Sequence, residues 1–119
     1  YIDDVVNAVN ALINKPPNLK QLGKIKDDSL SLVAPFRILN IGNTKKIYLL
    51  DFIDTLEKEL KIKSIRNYMP LQKGDVKTTL SDTTLLKKIT GYSCKIKYKT
   101  GIKKFLNWYM FYYKLKSKD

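Results

Sequence analysis

Leu71-Gln72-Lys73-Gly74-Asp75-Val76, followed by Ser81-Asp82-Thr83-Thr84-Leu85-Leu86 and Thr90-Gly91-Tyr92, reads as a tight glycine turn with a carboxylate beside it and then a capped helix that stops at glycine. Glycine at 74 permits a turn that a Cβ would block. Asp82 is placed to accept from the first backbone amides of a helix over Thr83–Ile89, and Gly91 is placed to end it in the left-handed conformation. Asp75 supplies an ionised, acceptor-only group next to the turn. It suits either a ligand diol or an ordinary solvated Gly-Asp turn.

Toward the C-terminus, Ile96-Lys97-Tyr98 leads into a last helix with Ile102, Phe105, Leu106, Tyr109 and Tyr112 on one face. Trp108, Phe111 and Tyr113 widen that apolar surface beyond a normal helical stripe. Toward the N-terminus, Ile62 to Met69 alternates loosely and meets Pro70, which predicts a strand. Leu49, Phe52, Ile53, Leu56 and Leu60 recur at helical spacing, with Asp54–Lys58 and Glu57–Lys61 four apart on the expected wet side. Phe36-Arg37-Ile38-Leu39-Asn40-Ile41-Gly42-Asn43 predicts a buried strand ending in a turn, and Lys46-Ile47-Tyr48 a shorter one. Residues 18–34 read as an exposed loop. A first helix follows Asp3 and Asp4, carries Val5, Val6, Ala8, Val9, Leu12 and Ile13, and stops at Pro16-Pro17. The expected fold is a small mixed α/β lobe, about four helices with short strands, spanning residues 1–119 as one domain.

The bulk numbers narrow the chemistry. At 119 residues and 13.8 kDa there is room for one core. No apolar run approaches the ~20 residues of a membrane span. One cysteine, Cys94, and no histidine argue against a disulfide or a zinc site and remove the commonest general base. The 23 Lys+Arg against 11 Asp+Glu give +12, which attracts polyanions. The lysines are scattered and greatly outnumber arginine, whose planar fork dominates base and phosphate recognition, so a nucleic-acid role is not favoured. The start at Tyr1, without a methionine or a secretory leader, is what a fragment looks like.

Four stretches resemble, in order and spacing, the C-terminal part of the NAD-dependent nucleotide-sugar epimerase/dehydratase family (extended short-chain dehydrogenase/reductases), and especially its UDP-glucuronate 4-epimerase branch. Tyr1-Ile2-Asp3-Asp4-Val5-Val6 looks like the junction where the C-terminal lobe begins. Phe36 through Asn43 resembles the family's asparagine-(Ile/Leu)-glycine strand end. Gln72-Lys73-Gly74-Asp75-Val76 with Asp82-Thr83 is similar to the nucleotide-side loop and its following helix. Gly101-Ile102 through Phe105-Leu106-Asn107-Trp108-Tyr109 resembles the terminal helix.

The resemblance implies a substrate-binding lobe of a cytoplasmic enzyme that supplies capsular or lipopolysaccharide sugars, with a UDP-sugar as ligand. Asp75 would hold the uridine ribose hydroxyls. Gln72 stands where galactose-type epimerases place an arginine, as glucuronate-type members do, and Lys73 either replaces that charge in part or faces solvent. Arg37 makes a substrate contact or a structural ion pair. The parent family binds NAD through a glycine-rich turn after a first strand. Glycines 23, 42, 74, 91 and 101 are too dispersed for that fingerprint, so this chain is expected to bind no cofactor, to lack the N-terminal Rossmann half and to be inactive alone. The family's Tyr-x-x-x-Lys spacing recurs at Tyr112 and Lys116, where it reads as coincidence. An uncovered aromatic face predicts self-association. The competing readings are a basic nucleic-acid-binding module and a gene remnant without activity.

Overall fold

The computed structural model describes residues 1–115. Four helices carry the fold: α1 (Ile2–Ile13), α2 (Leu49–Leu60), α3 (Thr84–Thr90) and α4 (Tyr98–Tyr112), with a 3-10 turn at Leu19–Gln21. The chain divides into two compact units.

One unit comprises residues 2–45 and 80–95. Here α1 packs against α3. Its first turn carries Asp3 and Asp4, favoured by the helix dipole. Ala8 is fully buried, and Leu86 of α3 is the largest side chain sealed from solvent. The 3-10 turn is held by a reciprocal cap: Lys20 N–H donates to Asn18 Oδ1 at 2.9 Å, and Asn18 N–H to Gln21 Oε1 at 3.3 Å. Gly91 closes α3 at φ +73°, donating to the Lys87 carbonyl at 2.8 Å.

The other unit holds Tyr1, residues 46–79 and the chain from 96 onward. Its core is α2 against α4, with Ile102 and Leu106 buried on α4. Gly101 is buried because Tyr1 lies against it: a Cβ there would stand 3.2 Å from the Tyr1 Cβ. Lys104 Nζ sits 5.3 Å from the Tyr1 ring centroid.

The mixed α/β expectation is overturned. Among the described residues there is no strand, and the regular structure is helical. Of the three segments expected as strands, Lys46-Ile47-Tyr48 forms none, and the two longer ones have backbone groups taken by side chains instead. In 36–43, Ser29 Oγ donates to the Ile38 carbonyl and accepts Ile38 N–H, the two bonds a neighbouring strand would otherwise make. In 62–69, Ser64 N–H donates to the Glu57 carboxylate at 3.0 Å. Ile38, Ile65 and Met69 stay exposed.

Glu57 is the second correction. It does not face water opposite Lys61. It is buried, with Oε1 accepting from Ser64 N–H and Oγ (2.6 Å) and from Arg66 Nη2 (3.0 Å), while Oε2 accepts from Lys63 Nζ (3.1 Å). These bonds hold its pKa far below the usual carboxylate range, the Ser64 hydroxyl contributing most. The reversal happens because α2 ends at Lys61 in a left-handed conformation, φ +56°, which turns the chain so that Ser64 and Arg66 meet Glu57.

Candidate functional site

The loop that the sequence singles out belongs to the unit built on α2 and α4. Gly74 has φ +97°, and nothing lies within 4 Å of where its Cβ would be, so the backbone itself demands glycine. Asp75 N–H closes the turn on the Gln72 carbonyl at 3.2 Å. Gln72, Lys73 and Asp75 are all exposed. The turn therefore presents a solvated carboxylate and an amide side chain beside an ammonium group.

Two further motif residues, Asn40 and Asp82, meet in the unit built on α1 and α3. Asn40 Nδ2 donates to the Asp82 carbonyl at 3.2 Å, across 42 residues of sequence. Gly42 is needed for this approach, since a Cβ there would lie 2.8 Å from Ser81 Cβ. Asp82 Oδ1 accepts Thr84 N–H at 2.9 Å, the capping bond expected at the start of α3. Bonds from the Thr84 side chain and amide hold its pKa below the ordinary value. Around this junction lies a shallow concavity of about 410 Å³ lined by Lys26, Ser29, Asn40, Asp82, Thr84 and Lys88. Lys88 Nζ donates to the Lys26 carbonyl at 3.2 Å, which holds α3 to the loop before residue 30.

Arg37 is committed to an ion pair. Its Nε lies 2.8 Å from Asp28 Oδ1 and its Nη2 2.9 Å from Oδ2, and Nη2 also reaches Gln21 Oε1 at 3.1 Å. Both charged side chains are nearly solvent-free, at 4% and 7% exposure. The Arg37 guanidinium lowers the Asp28 pKa. The chain has one other arginine, Arg66, and it pairs with Asp54 and Glu57. Both bidentate-capable groups are thus used within the fold, and cations for a phosphate would come from lysines.

Sequence reasoning missed Asp28, Gln21 and Ser29, all placed in a loop read as exposed. The available signal was weak: a carboxylate pair, Asp27-Asp28, nine residues before an arginine in an otherwise basic stretch. It also missed the clasp at Asp4, whose buried carboxylate accepts Tyr92 OH at 2.6 Å and Lys95 N–H at 3.0 Å.

The Tyr-x-x-x-Lys spacing noted in the sequence is only half described by the structure. Tyr112 is exposed on α4 and stacked on Trp108, with ring centroids 5.4 Å apart, and Lys116 lies outside the described residues. Among the described residues no group of three His, Cys, Asp or Glu side chains is arranged to hold a metal. The positive-φ glycines 23, 74 and 91 stand on three separate turns.

Comparison with known proteins agrees with the motif register. Over nearly its whole length the chain is similar to the C-terminal portion of nucleotide-sugar epimerases of the UDP-glucuronate 4-epimerase type. Protein CapI of Staphylococcus aureus is 35% identical over 96% of this chain. A probable UDP-glucuronate 4-epimerase of Rhizobium meliloti is 34% identical over 92%, and UDP-glucuronate 4-epimerase 5 of Arabidopsis thaliana 37% over 95%. The chain spans only 34%, 33% and 25% of these three relatives' own lengths. No protein-family model matches it. No helix among the described residues is long and apolar enough to cross a membrane.

Proposed function

We propose that this chain is the nucleotide-side portion of a UDP-glucuronate 4-epimerase-like enzyme serving capsular or lipopolysaccharide sugar supply in the cytoplasm. The observation that carries the reading is similarity across 96% of the chain to a protein whose length it covers by only 34%. NAD and the proton-transferring groups would then belong to polypeptide corresponding to the relatives' other two thirds, and the chain alone turns nothing over. Asp75 is the ribose-binding group in this reading, with Gln72 beside it. The Gly74 turn supports the assignment by holding an acceptor-only carboxylate clear of neighbouring side chains, ready for a vicinal diol. Arg37 acts at one remove, by bracing the segment that ends at Asn40-Ile41-Gly42. Self-association of the isolated chain belongs to the same picture, since the α4 aromatics are exposed.

The test is calorimetric titration with UDP and UDP-glucuronate, repeated after co-expression with the N-terminal two thirds of CapI. Binding in the co-expressed complex that is lost in Asp75→Ala supports the assignment. Unaltered binding in that variant removes Asp75 from the site, and no binding in the complex removes the nucleotide reading. The net charge of +12 favours one rival, a basic nucleic-acid module. That rival requires an affinity for DNA or RNA that falls steeply with salt.

A further inference from the structure

We propose that Glu57 is a positioning residue for nucleotide binding, because its carboxylate anchors the segment that carries the turn at 72–75. This role rests on the assignment of Asp75 to the ribose hydroxyls. Glu57 stands in the last turn of α2, and the chain reverses just after it. Lys61 takes a left-handed φ of +56°, and Ile62 N–H donates to the Glu57 carbonyl at 3.2 Å. Beyond this reversal the carboxylate gathers Lys63, Ser64 and Arg66. Arg66 Nη2 is shared with Asp54, one turn earlier on α2. Asp51, Asp54 and Glu59 on the same helix are exposed, and Glu57 is the acid that is buried. A buried charge must keep its partners close, so this one fixes where residues 63–66 lie.

Apolar packing does not do that work in its place. Ile65 is fully exposed, and Tyr68 and Met69 are 74% and 78% exposed. With Leu50, Ile53 and Leu60 of α2 they line a groove of about 690 Å³, where a packed seam would leave no such space. No ladder fixes the segment either, since residues 62–69 form no strand. Between Arg66 and Gln72 the chain has few joints. Pro70 locks its own φ and restricts Met69 to extended backbone, so a shift at residue 66 is passed on to the turn. The turn shapes itself, through the positive φ of Gly74 and the bond from Asp75 N–H to the Gln72 carbonyl. Those contacts are local and do not place it relative to α2. A carboxylate serves both hydroxyls of a diol only when held within about 0.5 Å of the productive position.

The test is calorimetric titration of the complex with the N-terminal two thirds of CapI, comparing UDP with deoxyuridine diphosphate, which lacks one ribose hydroxyl. Glu57→Gln keeps the side-chain size but removes the charge, and should raise the UDP Kd about tenfold. The deoxy ligand, deprived of part of the diol, should lose less, so the preference for UDP narrows. A residue that only supports the fold would weaken both ligands equally. Ser64→Ala, at an exposed position, should act in the same direction. Ser64→Thr retains the hydroxyl on Glu57 Oε1 and should keep the wild-type preference. Far-UV circular dichroism checks folding, and if Glu57→Gln does not fold the two Ser64 variants carry the test. A wild type that prefers UDP beside folded variants whose preference is unchanged overturns the role of Glu57 and leaves Asp75 in place. A wild type that binds both ligands alike, or neither, removes the ribose from Asp75, and the positioning role falls with it.

Discussion

Tyr92 OH donates to Asp4 Oδ1 at 2.6 Å, and this contact ties the start of α1 to the segment leaving α3 across 88 residues of sequence. Lys95 N–H adds a second bond to the same oxygen at 3.0 Å. Both bonds satisfy a carboxylate that is buried, so loss of the phenol removes one of its acceptor contacts.

Tyr92 is therefore expected to ionise only in strongly alkaline solution. Its hydrogen bond to Asp4 and its burial push its pKa up to about 12. A pKa raised on folding contributes stability that is complete below the unfolded value near 10 and disappears as pH rises through about 12. Phenolate absorbance should show one late step that vanishes in Tyr92→Phe. The same variant should lose about 1.5 kcal/mol in urea unfolding at neutral pH.

Arg37→Ala strands the Asp28 carboxylate in a nearly solvent-free site, at a cost of about 3 kcal/mol. Arg37→Lys keeps the charge but loses the two-point fork, and should fall between wild type and alanine. Because Arg37 lowers the Asp28 pKa, the pair's stability is present above the unfolded value near 4 and lost as pH falls through the folded one. Asp28→Asn should flatten that acid limb of the stability profile. Urea midpoints measured from acid to neutral pH check both statements.

Gly42→Ala would force a Cβ to within 2.8 Å of Ser81 Cβ. Overpacking of this kind costs about 1–3 kcal/mol. Removing the obstacle with Ser81→Gly in the same chain should return part of the loss. Absence of that rescue in thermal melts would mean Ser81 is not what Gly42 accommodates.

Gly74→Ala separates backbone from contact, since nothing stands near the new methyl. Holding a left-handed φ with a side chain costs about 1–2 kcal/mol locally. Nucleotide affinity should fall together with the melting temperature, which drops by about 5 °C or more, whereas Asp75→Ala should lower affinity and leave stability within about 0.5 kcal/mol. Parallel calorimetry and melting curves distinguish the two.

The sequence by itself determined the features that depend on a few neighbouring residues. The helices around Val5–Ile13, Leu49–Leu60, Thr84–Ile89 and Ile102–Tyr112 follow from 3.6-residue periodicity, and the turns at Gly74 and Gly91 from backbone freedom that only glycine has. The order and spacing of the Asn40-Ile41-Gly42, Gly74-Asp75 and Asp82 motifs were also enough to indicate the family. Only the tertiary structure decided which side chain takes each backbone bond and each charge. The apolar run of 36–43 and the alternation of 62–69 could not reveal that Ser29 and Glu57 would occupy the groups a strand partner needs, because those residues meet them through turns of the chain. Nor could a carboxylate at 28 announce its arginine at 37. Ion pairs and ladders are settled by distance in space, and composition and periodicity carry no record of that distance.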